Sequence, residues 1–272
     1  MQVRVIPVKS ILTPTRIPGA DFAANPYIGC SHACKYCYAS FMKRFTNHPE
    51  PWGSFVDVKI WPPIQKPVRY AGKKINFGTV TDPYLPQEKQ FERTRVLLEG
   101  LQGSEAHISI LTKSTLVLRD IDLLKQFECL QVTFSINTLD ERFRKDMEET
   151  TTIQRRFDAL RGLKQAGIRT GVFISPIFPR ITEPKEICLA VKGIADEIWM
   201  ENLNLRGDYR IVILNYIRAQ YPDLLPLYER IYRDKDDSYW ETLSVEMQQF
   251  AQENQIQLTN YFYHEKTRKP KP

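Results

Sequence analysis

Nothing in this chain of 272 residues is long and apolar enough to span a bilayer, since no apolar run approaches the roughly 20 residues a crossing helix needs. The opening stretch, MQVRVIPVKSILTP, carries Arg4 and Lys9 but no apolar core of a signal peptide, so secretion is not expected. There is no internal repeat, and low-complexity sequence is confined to the ending KTRKPKP, which argues against solenoids and extended linkers. Cysteine is scarce: five residues, an odd number, with three of them crowded together. That pattern argues against a disulfide framework and for metal ligation in a reducing, cytoplasmic setting. What is present suffices for a folded core, with 42% apolar and 11% aromatic residues.

The net charge of +6 is unevenly spread. Residues 1 to 74 hold 11 Lys and Arg against 3 Asp and Glu, whereas the remaining 198 residues hold 27 against 29. A basic segment of this kind steers phosphate-bearing partners, although a solvated basic surface with no partner explains the same numbers.

Apolar runs alternate with longer helical patterns. PYIGC ends a first short strand, and KKINFGTVTDPY, HISILTKS, LQVTFSINT, IRTGVFISPIFP and DEIWMENLN read as five more. Between them lie helical patterns in EKQFERTRVLLEGLQG, RDIDLLKQF, TTIQRRFDALRGLKQAG and PKEICLAVKGI. Six βα units fall short of a closed eightfold barrel, so the expected fold is α/β, a partial (β/α)6 TIM-like barrel. Its core covers about residues 25–205, helices over 206–265 close one side, and 266–272 is a basic tail. With no clear boundary the chain reads as a single domain, 1–272. In such sheets the chemistry gathers at the carboxyl ends of the strands, where TVTD, TKS, SINT, SP and ENLN each follow an apolar run.

The stretch NPYIGCSHACKYCYA places Cys30, Cys34 and Cys37 on one loop. Two chemistries fit. A tetrahedral zinc would want a fourth ligand, for which His32 inside the loop and His48 beyond it are the candidates. An iron–sulfur cubane normally takes four cysteines, so three would leave one iron open, and open coordination marks a site that does chemistry. Cys129 and Cys188 have no neighbouring ligand partner and are expected simply to pack.

CSHACKYC resembles the CxxxCx(aromatic)C signature of radical S-adenosylmethionine (radical SAM) enzymes. NPYIGCSHACKYCYA, GTVTDPYLPQEK, ISILTKSTLVLRDIDLL, VTFSINTLDE and LKQAGIRTGVFISPI together resemble the spore-photolyase-like branch over about residues 25 to 178. Within that branch, the short chain and its opening VIPVKSILTPTRIPGADFAANPYIGC are most similar to the mobile pair protein B group. The resemblance implies a [4Fe–4S] cluster on Cys30, Cys34 and Cys37 and S-adenosylmethionine on the fourth iron. It implies reductive cleavage of that cofactor to a 5′-deoxyadenosyl radical that abstracts hydrogen from a substrate. It further implies a reductant protein of the flavodoxin or ferredoxin type and a second radical SAM protein encoded alongside.

The same resemblance sets Tyr36 against the adenine, and Thr79, Thr81 and Asp82 near the methionine amino group, with Asp82 also suited to capping the turn before Pro83. Lys113 at the third strand's end suits the cofactor carboxylate, and Ser135 and Asn137 suit the ribose hydroxyls and carboxylate. Arg155 or Arg156 is placed to clamp a carboxylate, unless both face solvent. Tyr38 is a candidate for contact with substrate or radical, and Glu201, Asn202 and Asn204 are expected at the mouth. Two departures stand out: EETTTIQRR replaces a proline-rich stretch, and FPRIT lacks the usual glycine. Both border the substrate, and no cysteine hydrogen donor is evident, so repair of thymine photoproducts is not expected. The basic amino-terminal third and the basic tail favour a nucleic acid or nucleotide substrate. A peptide or small metabolite is the alternative, followed by a cluster-bearing subunit without turnover. YASFMKRF and WPPIQKPVRY interleave aromatics with cations, a pattern that stacks bases or simply packs a core.

Overall fold

The computed structural model describes residues 1–262. The expected basic tail, 266–272, lies outside the described residues. Four strands open the chain, β1 Gln2–Pro7, β2 Leu12–Pro14, β3 Phe22–Ala24 and β4 Tyr27–Gly29, followed by a 3-10 helix at Tyr38–Phe45 and β5 Phe55–Ile60. Then come β6 Lys74–Phe77, α1 Glu88–Phe91, α2 Arg93–Gly100, β7 His107–Thr112, α3 Ile121–Leu124 and β8 Leu130–Ser135. The chain continues through α4 Glu141–Met147, α5 Ile153–Gln165, β9 Arg169–Ile177, α6 Pro184–Val191 and β10 Glu197–Asn202. It ends with α7 Tyr209–Gln220, α8 Leu225–Tyr232, α9 Ser238–Glu253 and β11 Leu258–Asn260. No helix among the described residues is long and apolar enough to cross a membrane.

The main sheet runs β11-β10-β9-β8-β7-β6-β3-β2, parallel throughout except for the antiparallel β2–β3 pair. Its edge strands do not pair with each other among the described residues, so the barrel is partial and open. One expectation needs correcting. Tyr27–Gly29 does form a strand, but it belongs to a separate three-stranded sheet, β1-β5-β4. The first parallel strand of the barrel is Phe22–Ala24 instead, and β11 adds a parallel strand after the carboxyl-terminal helices. Gly29 explains the tight joint between the small sheet and the cysteine loop. It sits at φ +84°, and a Cβ there would meet the Phe55 carbonyl oxygen at 2.3 Å.

Local chemistry accounts for the helix boundaries near the site. The helix read over EKQFERTRVLLEGLQG is two helices, because Glu92 adopts φ +50° between them. The buried Glu88 carboxylate accepts from the backbone N–H groups of Thr94 and Arg95, capping α2 from within. α4 follows Asp140, whose side chain accepts from the Arg142 and Phe143 amides. α5 begins after Thr152, which accepts from the Arg155 amide, and buries Ile153, Arg156, Ala159, Leu160 and Leu163. That stripe recurs at three- and four-residue steps, as a helix lying on a sheet requires.

The main core lies between the sheet and α2, α3, α5 and α6, around Ile75, Ile110, Val132, Val172 and Ile198. A second apolar cluster joins Tyr36 to Phe143, Met147, Phe178, Leu203 and the inner faces of α7 and α8. Cys188 is buried in the main core, as expected of a packing cysteine, and burial pushes its thiol up to about 12. Cys129 is a correction. It lies exposed in the turn between α3 and β8.

Candidate active site

The cysteine loop follows β4 at the carboxyl end of the parallel sheet. Cys30 is buried, while Cys34 and Cys37 are half-buried. The loop turns back on itself at Ala33, which adopts φ +46°, and its amide is bonded to the Cys30 carbonyl at 3.3 Å. Burial pushes all three thiols above their ordinary range; negative neighbours add to this at Cys30 (Cys37 and Asp82) and at Cys34 (Glu148), whereas at Cys37 hydrogen bonds and the Lys113 cation oppose it. Three thiols on one tight loop form a donor set suited to a multivalent cation.

Of the two candidate fourth ligands for zinc, His48 is taken up elsewhere. His48 is sandwiched, with Nδ1 at 2.9 Å from Glu50, Nε2 at 2.8 Å from Asp57, and its ring stacked on Phe55 at 3.9 Å. Both ring nitrogens are therefore engaged. His32 is buried with Nδ1 at 3.5 Å from the Asp82 carboxylate, and no group of three His, Cys, Asp or Glu among the described residues converges on a single ion. A cubane differs in that each cysteine reaches a separate iron, so the thiols need not converge on one point.

Glu148 is the side chain that organises the loop, and sequence reading passed it over. Its carboxylate, 1% exposed, accepts from the Tyr36 hydroxyl, from Arg156, from Thr150 Oγ1 at 2.8 Å and from the Cys34 thiol at 3.7 Å. Lys113 Nζ stands 3.6 Å away. Burial alone would push this carboxyl up, but the Lys113 and Arg156 cations outweigh it and hold it well below the usual carboxylate range. Two backbone hydrogen bonds reinforce the joint: Lys35 N–H to the Met147 carbonyl at 2.9 Å, and Glu149 N–H to the His32 carbonyl at 2.8 Å. Residues 147–149 thus strap the cysteine loop to the end of α4. One signal was available in the sequence. Arg156 lies on the apolar stripe of α5, and a buried guanidinium demands an anion within reach.

The other expected residues fall as follows. Asp82 is buried and caps its turn, accepting from Tyr84 N at 2.8 Å, Thr112 Oγ1 at 2.7 Å and Lys113 N at 2.7 Å. Thr81 donates to the Gly29 carbonyl at 2.6 Å, tying the end of β6 to the cysteine loop. Thr79 accepts from Asn25 Nδ2 at 2.8 Å, and Asn25 Oδ1 accepts from Val80 N, so Asn25 is a second residue that sequence reading missed. Lys113 turns inward rather than out, donating to Ser135 Oγ, with its ammonium 5.7 Å from the Tyr36 ring centroid. Ser135 donates to the Ser175 carbonyl at 3.3 Å, and Asn137 donates to the Pro176 carbonyl at 3.4 Å. Tyr36 is buried, its ring edge-on to Phe178 at 5.6 Å. Tyr38 is 57% exposed and donates to the Thr79 carbonyl across the mouth. Glu201 accepts from Ser175 Oγ at 2.7 Å at the end of β10, with Asn202 and Asn204 half-buried beside it.

The two arginines separate. Arg156 is 1% exposed and donates to the Ser135 carbonyl at 2.9 Å as well as to Glu148. Arg155 is exposed one position earlier and does not join the site, because one step along a helix rotates a side chain by about 100°. That corrects its candidacy as a cofactor ligand.

The sequence pattern of the radical SAM superfamily matches residues 24–188. An uncharacterized protein of Methanocaldococcus jannaschii is 38% identical over 224 residues, covering 82% of this chain and 85% of that one. A radical SAM Nα-GlyT isomerase of Pseudomonas phage M6 is 23% identical over 77% of this chain and 42% of its own length. Among solved structures, a spore photoproduct lyase variant with a dinucleoside spore photoproduct superposes with a TM-score of 0.58 at 18% identity. That match covers 81% of this chain and 66% of the lyase, a likeness of fold. The chain belongs to the radical SAM superfamily. Membership makes it a radical SAM enzyme, with S-adenosylmethionine and an iron–sulfur cluster as its cofactors.

Proposed function

We propose that Cys30, Cys34 and Cys37 hold three irons of a [4Fe–4S] cluster, with S-adenosylmethionine on the fourth, and that the enzyme modifies a nucleic acid or nucleotide. The observation that carries the cluster reading is the donor set itself: one buried and two half-buried thiols on one strapped loop, with His48 held on both ring nitrogens by Glu50 and Asp57. When bound, the pair of cofactors supplies one-electron cleavage of a sulfonium and hydrogen abstraction from substrate.

The chain's own residues do the rest. Glu148 and the strap fix the loop, so the three sulfurs are presented without an ordering cost at loading. Lys113 and Arg156 place two cations behind the loop, where they hold the Glu148 carboxylate ionised and the strap in place. Thr79, Ser135, Asn137 and Glu201 line the strand ends with donors and acceptors for a polar cofactor. Burial of Cys30 and Tyr36 keeps water from the inner side of the loop.

The nucleic-acid reading rests on the excess of cations in residues 1 to 74. A flavodoxin- or ferredoxin-type reductant, and a second radical SAM protein acting alongside, are part of the proposal. The test is anaerobic reconstitution with iron and sulfide, then addition of S-adenosylmethionine and dithionite, with and without RNA or DNA, beside Cys34→Ala. 5′-Deoxyadenosine that needs Cys34 and rises with nucleic acid supports both halves. Product indifferent to nucleic acid keeps the cluster assignment and moves the substrate to a peptide or small metabolite. A full cluster with no product, partner included, overturns the catalytic reading.

A further inference from the structure

We infer that the 3-10 helix Tyr38–Phe45, which leaves the site directly after Cys37, is a stacking platform that carries single-stranded nucleic acid to the mouth of the barrel. The inference rests on the nucleic-acid reading above and adds the place and form of binding.

A 3-10 helix repeats every three residues, so Tyr38, Phe41 and Arg44 lie one above another on a single face. These aromatics are not core. Tyr38 is 57% exposed, Phe41 43% and Phe45 64%, whereas the helix buries only Ala39. The other aromatic and basic stretch behaves differently: Trp61, Ile64 and Tyr70 pack against the main core, with Tyr70 edge-on to Phe22 at 5.3 Å. Core packing therefore explains WPPIQKPVRY and leaves YASFMKRF unexplained.

The charge on this face is arranged for phosphate. Arg44 has no carboxylate partner among the described residues, and its guanidinium lies between two rings, 5.4 Å from the Phe41 centroid and 4.6 Å from Phe45. A cation held on aromatic faces stays open to an anion on its outer side. Between Ser31 and Pro49 there is no Asp or Glu, while Lys35, Lys43 and Arg44 are present. Protruding rings next to cations bind unpaired bases by stacking, and a duplex offers no free base face to them. The stripe is also continuous with the site, because Tyr38 follows Cys37 and reaches the Thr79 carbonyl at the end of β6. A strand stacked on Phe41 and Tyr38, with Phe45 at the adjoining edge beside Arg44, would run toward the cysteine loop.

The test is fluorescence anisotropy of the full chain with labelled single-stranded DNA and RNA of about 12 nucleotides and with the matching duplex, at two salt concentrations. Phe41→Ala and Phe45→Ala should each weaken single-strand binding by about tenfold with no change in melting temperature, the side chains being exposed. Arg44→Gln should flatten the salt dependence by about one counterion, and the duplex should bind more weakly than the single strand. If the wild type binds single strands and the ring variants bind equally well, the platform is overturned while the nucleic-acid reading stands. If the wild type binds no nucleic acid, both fail. If Phe45→Ala instead converts a dimer to a monomer by light scattering, a second copy covers the stripe and the inference is overturned.

Discussion

The Glu148 carboxylate accepts a hydrogen bond from the hydroxyl of Tyr36, a residue 112 positions earlier in the chain, and in doing so ties the cysteine loop to the helix pair after β8. Arg156 and Glu148, each 1% exposed, complete the joint as a buried ion pair. Removing one partner of such a pair leaves an uncompensated buried charge. Glu148→Ala should therefore cost about 3–5 kcal/mol. Urea unfolding reads the loss directly. Arg156→Met added to Glu148→Ala should recover part of it, and an unchanged urea midpoint for Glu148→Ala would refute the hub role.

Gly29 offers a sharper test of the loop's geometry. Alanine there would combine a positive φ with a Cβ 2.3 Å from the Phe55 carbonyl oxygen, so β4 and β5 must part. Strain of this kind costs on the order of 1–3 kcal/mol, and the displaced loop should retain less iron after reconstitution. Gly72→Ala is the matched control, since φ is +67° but the space is open, and only the backbone penalty of about 1 kcal/mol should appear. Equal melting temperatures for the two variants would contradict the close-approach argument.

Lys59 carries the pH dependence most open to test. It is half-buried on β5, has no ion-pair partner among the described residues, and burial pushes its ammonium down to about 8. A base whose folded value is lowered binds fewer protons folded than unfolded, so its contribution makes stability rise as pH climbs from about 8 toward its ordinary 10.5. Lys59→Met should accordingly raise the melting temperature at pH 7. The advantage should shrink above pH 8 and vanish near 10.5. A pH-independent gain would mean that side-chain packing, not the buried charge, is responsible.

His48 separates structure from metal binding. With both ring nitrogens held by Glu50 and Asp57, His48→Ala should leave metal content unchanged. It should destabilise the fold by about 1–3 kcal/mol, because the buried Asp57 loses its partner. Elemental analysis beside thermal melting checks both halves. Stoichiometric zinc lost with the imidazole would restore the zinc site.

Most of the parallel strands and the place of the chemistry were legible because they are local. HISILT, LQVTFS and EIWMEN each became a strand, and Asp82, Lys113 and Ser135 stand at strand ends as the parallel-sheet rule requires. Tyr27–Gly29 was readable as a strand but not as a member of the small sheet, since pairing with Phe55–Ile60 is set by residues far along the chain. The choice between Arg155 and Arg156 needed the phase of α5, which the apolar stripe at Ile153, Ala159 and Leu163 contains. Glu148 itself carried no local signal; only Arg156 on the apolar stripe of α5 hinted that an anion had to lie within reach. The five partners of Glu148 are scattered from Cys34 to Arg156, and no periodic signal marks a lone acid in a loop.

The strap has a consequence for the order of events during synthesis. The cysteines emerge from the ribosome early, but Met147, Glu148 and Arg156 that hold their loop are made more than a hundred residues later. An iron donor that met the nascent loop would find it unsupported. On the proposed cluster assignment, loading is thus expected on a finished fold.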